Sequence, residues 1–251
     1  MKKTILATGV AAMMCGTAQA DTILGLYIGG QMWANETSGS FGEGGDNQAV
    51  FEFDDKNQGS FYAALEHPIP LIPNIKIAST TLDTVGGTQI VNDFTFNNVY
   101  YSENSTLDTT LDASYVDYTL YYELFDNDLL TFDFGLTARD LDAYIHVTDP
   151  QSALASDLKV NSYIPMAYLS GIVGLPFSGF NIFAEANFIT YDDQTVYDAQ
   201  VGVSYALLDN LAVDLDVTLG YRTVKMELND LDDFYSDLTY EGLFAGVIVH
   251  F

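Results

Sequence analysis

The chain has 251 residues, with 35 Asp and Glu against 8 Lys and Arg and a formal net charge of −27. That balance excludes nucleic acid as a partner, because a phosphate backbone needs clustered cations. A composition 48% apolar and 14% aromatic excludes a chain too polar to fold, and 17 Tyr, 16 Phe and 20 Gly favour strands over helices.

The first twenty residues read as an export signal. Lys2 and Lys3 supply a positive start, and Ile5 to Gly16 form an apolar run too short to span a bilayer as a helix. Ala18-Gln19-Ala20 fits the small-x-small cleavage rule. The expected division is a signal peptide over 1–20 and one mature domain over 21–251. Cleavage removes Cys15, the only cysteine, so no disulfide is expected. Met13-Met14 precede Cys15 where lipoprotein processing takes small residues, which argues against lipidation.

From Thr22 onward the dominant pattern has period two, the spacing of a strand with two unlike faces. A strand over 22–33 puts Leu24, Leu26, Ile28 and Met32 on one face, and 34–59 reads as a long acidic loop. Strands at 60–67 and 75–84 flank Glu66-His67-Pro68-Ile69-Pro70-Leu71-Ile72-Pro73-Asn74, whose prolines stiffen a turn and block ladder pairing. A second long loop covers 85–110. The strand at 111–124 sets Val116, Tyr118, Leu120, Tyr122 and Leu124 against Asp117, Thr119, Tyr121 and Glu123. After a tight turn, the strand at 129–144 sets Leu130, Phe132, Phe134, Leu136 and Ala138 against Thr131, Asp133, Gly135, Thr137 and Arg139. A third loop covers 145–160.

Residues 160–184 carry no charge and are long enough for a membrane helix. Pro165, Pro176, Gly171, Gly174 and Gly179 interrupt them, so strands at 161–175 and 180–191 around a turn at 176–179 fit better. Met166, Tyr168 and Ile172 leave both faces of the first of these partly apolar. Strands follow at 195–207 and 211–227, separated by Leu208-Asp209-Asn210. After a fourth loop at 228–237, the strand at 238–251 alternates Leu243, Ala245, Val247, Val249 and Phe251 against Gly242, Phe244, Gly246 and His250.

The expected fold is all-β: a transmembrane antiparallel up-and-down barrel of about ten strands, with short periplasmic turns and longer acidic extracellular loops. The loop at 191–195 alone is short on the long-loop side. A water-soluble barrel would also alternate, with its apolar face inward. Three features favour lipid outside. Aromatic residues gather at strand ends, Tyr122, Tyr205 and Phe251 towards one rim and Tyr197 and Tyr221 towards the other. The apolar faces lack charge over about nine to eleven residues, the length of a tilted span. The polar faces hold few lysines, whereas a water-facing surface mixes both signs.

Two stretches carry a resemblance. The final Glu241-to-Phe251 run, ending on an aromatic residue, resembles the C-terminal signature of bacterial outer-membrane proteins. In that class the barrel-insertion machinery recognises the last strand, which implies an assembly role for Phe251. The stretch from Glu66 to Asn74 resembles a turn motif of uncharacterised gammaproteobacterial outer-membrane β-barrel proteins. That likeness implies architecture and location in the outer membrane of a Gram-negative bacterium, facing lipid and lipopolysaccharide. It implies no reaction.

Chemistry, if any, falls to the polar face. The inward charges are Glu66, Lys76, Asp117, Glu123, Asp133 and Arg139 in the first half, then Glu185, Asp198, Asp214, Asp216 and Arg222. Their simplest role is a polar plug in which the two arginines bridge carboxylates, since barrels near eight strands are filled by side chains. A narrow pore preferring cations is the alternative for the same lining. A hydrolase at the extracellular rim would need an activated water, and His146 with Asp140 or Asp142 is the candidate pair. No cofactor is expected. Asp230, Asp232, Asp233 and Asp237 could gather Ca²⁺ or Mg²⁺, although Phe234 and Tyr235 break the calcium-loop pattern counted from Asp230.

Overall fold

The computed structural model describes residues 24–45, 47–127, 129–192, 194–208, 210, 213–231 and 234–251, apart from the side chains of Asp230 and Leu231. The expected signal peptide and its cleavage site lie outside the described residues. Fifteen strands form among them. The first eight are β1 (Gly25–Glu43), β2 (Gln48–Phe53), β3 (Lys56–Glu66), β4 (Asn74–Thr80), β5 (Asp83–Gln89), β6 (Phe94–Phe96), β7 (Val99–Tyr101) and β8 (Thr106–Asp112). The remainder are β9 (Tyr115–Asn127), β10 (Leu130–Asp149), β11 (Leu154–Leu175), β12 (Phe180–Tyr191), β13 (Gln194–Leu208), β14 (Asp214–Leu231) and β15 (Phe234–His250).

Ten of these strands close a ring, in the order β1, β3, β4, β9, β10, β11, β12, β13, β14, β15 and back to β1, with every pairing antiparallel. The closing seam runs from Tyr27↔His250 to Glu43↔Phe234. Below it Phe251 N donates to Leu26 O at 3.0 Å and Leu26 N to Phe251 O at 3.2 Å. Closure leaves no edge to be satisfied by water, which hydrocarbon cannot supply.

The segments read as long loops are mostly strand, and this corrects the sequence reading. β1 runs on to Glu43, β10 to Asp149, and β11 starts at Leu154. β2, β5 and β8 are the outer halves of β3, β4 and β9. The ladder keeps its register across the interruptions of β4/β5 and β8/β9, with Asp83↔Asp112 above and Thr80↔Tyr115 below, whereas between β3 and β2 it shifts by one residue, Gly25↔Glu66 giving way to Ser38↔Glu52 along β1. At the breaks, side chains add to backbone bonds such as Ala113 N to Leu82 O at 2.7 Å: Leu82 N donates to Ser114 Oγ at 3.1 Å and Gln58 Nε2 to Asp83 O at 2.5 Å. Lys56 pairs with Asp83 beside them. Gly39 adopts φ 137°, and a Cβ there would meet Asp237 O at 1.9 Å, so only glycine fits where β1 passes from β3 to β2.

The reading failed there because the hydrophobic pattern changes sign. On β14, Leu215, Val217, Leu219 and Tyr221 face outward, but the next outward residues are Thr223, Lys225 and Glu227. The inward face changes in the opposite sense, from Asp216, Thr218 and Arg222 to buried Val224, Met226 and Leu228. β10 does the same. Outward Phe134, Leu136 and Ala138 give way to Asp140 and Asp142, while inward Thr137 and Arg139 give way to Leu141, Ala143, Ile145 and Val147. Each strand keeps its faces and only the surroundings change.

Around the inner half of the ring, no outward position carries a charge among the described residues. Tyr122, Phe180, Tyr205 and Phe251 rim this band at the short-turn end, and Tyr118, Tyr163 and Tyr221 rim it at the other. The outer half encloses an apolar core instead. Phe41 stacks on Phe51 at 4.5 Å and meets Phe96 edge-on at 5.5 Å, and the β6–β7 hairpin adds Phe94 and Tyr101. Burying each such side chain away from water stabilises by about 1.5–3 kcal/mol.

A charge placed in the band should therefore be costly and one above it tolerated. Leu219→Arg is expected to lose about 2–4 kcal/mol in urea titrations of folding into lipid vesicles. Thr239→Lys, outward on β15 above the band, should change stability by no more than about 0.5 kcal/mol.

Candidate functional site

Inward positions of five strands meet at one height, where the band gives way to the apolar head. β10 brings Arg139, β9 Asp117 and Tyr115, β13 Asp198, β14 Arg222 and β4 Thr80. Asp117 is the direct cross-strand partner of Arg139. Arg139 grips it with two hydrogen bonds, Nε to Oδ1 at 2.8 Å and Nη2 to Oδ2 at 2.7 Å. Arg222 grips Asp198 the same way, at 2.8 and 2.7 Å. Arg139 Nη2 also reaches Asp198 Oδ2 at 3.1 Å, which joins the pairs.

Tyr115 completes the layer. Its hydroxyl donates to Asp198 Oδ2 at 2.6 Å and accepts from Arg222 Nη2 at 3.1 Å, and its ring centroid lies 3.5 Å from the Arg139 guanidinium. Thr80 Oγ1 accepts from Arg222 Nη2 at 3.1 Å, and the Trp33 ring lies 5.1 Å from the Arg222 guanidinium. All these side chains are buried, and Arg139 is 0% exposed. Two cations and two anions cancel, which removing them from water demands, since each unpaired buried ion would cost several kcal/mol. The bidentate geometry makes these the strong kind of charged hydrogen bond.

Above the layer lies the aromatic core of the head. Below it a cavity of about 220 Å³ descends toward the short-turn rim, lined by residues from Asp117, Asp198 and Arg222 down to Tyr27 and Ile248. Within it Lys76 Nζ donates to Glu185 Oε2 at 2.5 Å and lies 4.6 Å from the Tyr62 ring centroid and 5.5 Å from that of Tyr168. Tyr121 donates to Glu66 Oε1 at 2.8 Å. Asp133 is 7% exposed, and its Oδ1 has no hydrogen-bond partner. Asp216 lines the cavity, Glu123 stands nearer the rim opposite Asp133, and Asp214 pairs with His250 at 3.4 Å.

The lumen charges named from the sequence thus fall into two groups. Asp117, Arg139, Asp198 and Arg222 come together, while Glu123, Asp133, Glu185, Asp214 and Asp216 spread down the wall below them. Sequence reasoning missed Tyr115, Trp33, Tyr62 and Tyr168, the rings that surround the cations. Tyr115 had a signal, standing two residues before Asp117 on the same face. Tyr62 had none beyond its place in the alternation.

The pairing of His146 with Asp140 or Asp142 is not what the structure holds. Four residues along a strand is about 13 Å and six is about 20 Å, so Asp142 and Asp140 share a face with His146 but not its reach. His146 Nδ1 instead meets Asp157 Oδ1 across the β10–β11 ladder at 2.7 Å, and Tyr144 donates to the same oxygen. These groups sit on the outer wall of the head. The Tyr144 hydroxyl, then the His146 ring, hold the Asp157 carboxyl below the usual carboxylate range. Of the carboxylates proposed to gather cations, Asp237 pairs with Lys225 at 3.4 Å. Asp232, Asp233 and the side chain of Asp230 lie outside the described residues. Among the described residues, no group of three or more His, Cys, Asp or Glu is arranged to hold a metal ion.

No protein-family model matches the chain, and no curated protein matches it. Among solved structures, the CymD monoaromatic hydrocarbon channel is similar at 10% identity and a TM-score of 0.34, covering 90% of this chain and 87% of that one. Neisserial surface protein A is similar at 13% identity and a TM-score of 0.33, covering 89% and 96%. The transport unit of the autotransporter AIDA-I from Escherichia coli is similar at 10% identity and a TM-score of 0.39, covering 98% and 95%. Likeness at this level adds nothing to what the strands themselves establish.

Removing one carboxylate from the layer should expose the cost of the other charges. Asp198→Asn leaves two guanidinium groups sharing Asp117, and a loss of about 3–5 kcal/mol is expected in denaturant unfolding from detergent micelles. At the head, Asp157 has a lowered folded-state pKa. Its contribution is present above the unfolded value, about 4, and fades as pH falls through the lower folded value. Wild type should therefore be more heat-stable than Asp157→Asn at pH 7, with the difference closing towards pH 2 in melts followed by near-ultraviolet circular dichroism.

Proposed function

We propose that the chain is a non-catalytic β-barrel of the outer membrane of a Gram-negative bacterium, closed to passage, which presents an acidic β-walled head at the cell surface. The observation that carries this reading is the double closure of the lumen. A neutralised arginine–aspartate layer is followed by an aromatic core, so a hydrated ion meets first a filled polar layer and then a dry one. The charge-free outer band and its aromatic rims support residence in a bilayer. The outward faces of the head carry Glu36, Glu52, Asp142 and Asp157 on exposed positions, which supports a structural or surface-interaction role. Lipopolysaccharide is its natural neighbour on this reading, with divalent cations between the phosphates and the acidic wall. A hydrolytic role loses its support with the separation of His146 from Asp140 and Asp142.

The test is electrical. Wild-type barrel inserted in a planar lipid bilayer in 1 M KCl is expected to give no stepwise conductance. Stable, cation-selective steps would replace this reading with that of a narrow pore.

A further inference from the structure

We infer that the turn between β3 and β4, residues 67–73, is a membrane anchor that lies against phospholipid of the periplasmic leaflet, with Leu71 at its tip in the boundary between headgroups and acyl chains. The inference rests on the barrel residing in a bilayer. The turn is built from the wrong residues for water. Ile69, Leu71 and Ile72 are exposed, Leu71 at 92%. From His67 to Ile75 there is no acid, lysine or arginine, although the chain has 35 Asp and Glu. Leu71 is held at φ 68°, a left-handed state that is costly for a residue with a Cβ. Strain that only turned a leucine into water would serve nothing, whereas an apolar surface outside the wall receives it. The β11–β12 turn on the same rim repeats the device: Phe177, between Pro176 and Ser178, is fully exposed at φ 63°.

The turn is continuous with the lipid-facing wall. Tyr122, one of the rings that rim the charge-free band, donates its hydroxyl to Leu71 O at 3.0 Å. The Tyr122 ring in turn packs on outward Phe134, with centroids 6.0 Å apart. The tip of the turn therefore lies beside outward rings and not under the mouth of the lumen. Its backbone is also prepared for a poorly hydrated place, where an unbonded N–H is expensive. Pro68, Pro70 and Pro73 have no N–H. His67 N donates to Asn74 Oδ1 at 3.1 Å, and Ile69 N donates to His67 Nδ1 at 3.3 Å. With Nδ1 accepting, the ring proton sits on Nε2, which donates to Pro73 O at 3.2 Å.

These features favour lipid over a protein partner. A stable protein interface needs about 800 Å² from each side, more than three apolar side chains on one turn supply. A lipid boundary needs no matching pocket and accepts an apolar wedge about 5–10 Å deep. The lack of acids suits phosphate headgroups, which repel them.

Tryptophan fluorescence of the refolded full barrel tests this, in phosphatidylcholine vesicles whose acyl chains are brominated near the headgroup. Trp33, the only native tryptophan, is buried in the lumen, and wild type supplies the baseline. Leu219→Trp, outward in the band, reports lipid, and Thr239→Trp, outward on the head, reports water. Leu71→Trp is expected to be quenched by brominated lipid as Leu219→Trp is, and to emit at shorter wavelength than Thr239→Trp. Each variant is first checked for the heat-modifiable gel migration of a folded barrel, and Ile69→Trp gives the same readout should Leu71→Trp fail to fold. Water-like emission without lipid quenching overturns the proposal and leaves the turn to a periplasmic protein. Short-wavelength emission without lipid quenching overturns it in favour of contact between copies of the chain. Failure of Leu219→Trp itself to be quenched is a separate result, which overturns the bilayer reading and the anchor with it.

Discussion

One boundary condition organises this protein: the medium outside the wall changes partway along each strand. Next to hydrocarbon, the outward face must be apolar and uncharged, and the polar residues have only the lumen to occupy. Next to water, the same outward face carries Asp, Glu, Lys and Thr, and the apolar residues turn to the inside. Because side-chain direction alternates rigidly along a strand, β10 and β14 serve both media with no slip of register, and only the β2–β3 strand shifts by one residue between band and head. The composition of the two faces simply exchanges. Val224 on β14 and Leu141 on β10 mark the exchange on the inside, and Thr223 and Asp140 mark it on the outside.

That exchange explains why the charged layer sits where it does. It lies at the junction between a polar lumen and a dry head, the place where ions must be most fully compensated. Arg139, Asp117, Asp198 and Arg222 cancel one another there, with Tyr115 and Trp33 replacing water around the guanidinium groups. The two halves also differ in what holds them. In the head, burial of Phe41, Phe51, Phe94 and Phe96 draws on the aversion of apolar surface for water. In the band that aversion is absent on the lipid side, so closure of the hydrogen-bonded ring and the lumen contacts carry more of the stability.

Much of this was legible in the residues. The alternation on 195–207 and 129–144 is clean enough to count ten strands and to sort Asp117, Asp133, Arg139, Asp198 and Arg222 to the inside. It could not place the head, because a template with its apolar face outward stops matching once Asp140 or Thr223 arrives, and the remainder resembles polar loop. Nor could it pair His146. The partner, Asp157, lies across a ladder whose register depends on a four-residue turn, Pro150 to Ala153, in a segment taken for loop. The rings around the cations were invisible for a different reason: a tyrosine in an alternating strand looks the same whether it meets lipid, water or a lysine.

The three interrupted strands lie side by side, whereas β14, β15, β1 and β10 run unbroken from the short-turn rim to the head. β1 and β10 border the row of creases, at 54–55, 81–82 and 113–114, on either side. Backbone bonds still cross them: Asp54 N donates to Val85 O at 2.8 Å, Thr81 N to Gly59 O at 3.0 Å and Ala113 N to Leu82 O at 2.7 Å. Each crease therefore interrupts a strand without cutting the hydrogen-bonded continuity of the wall.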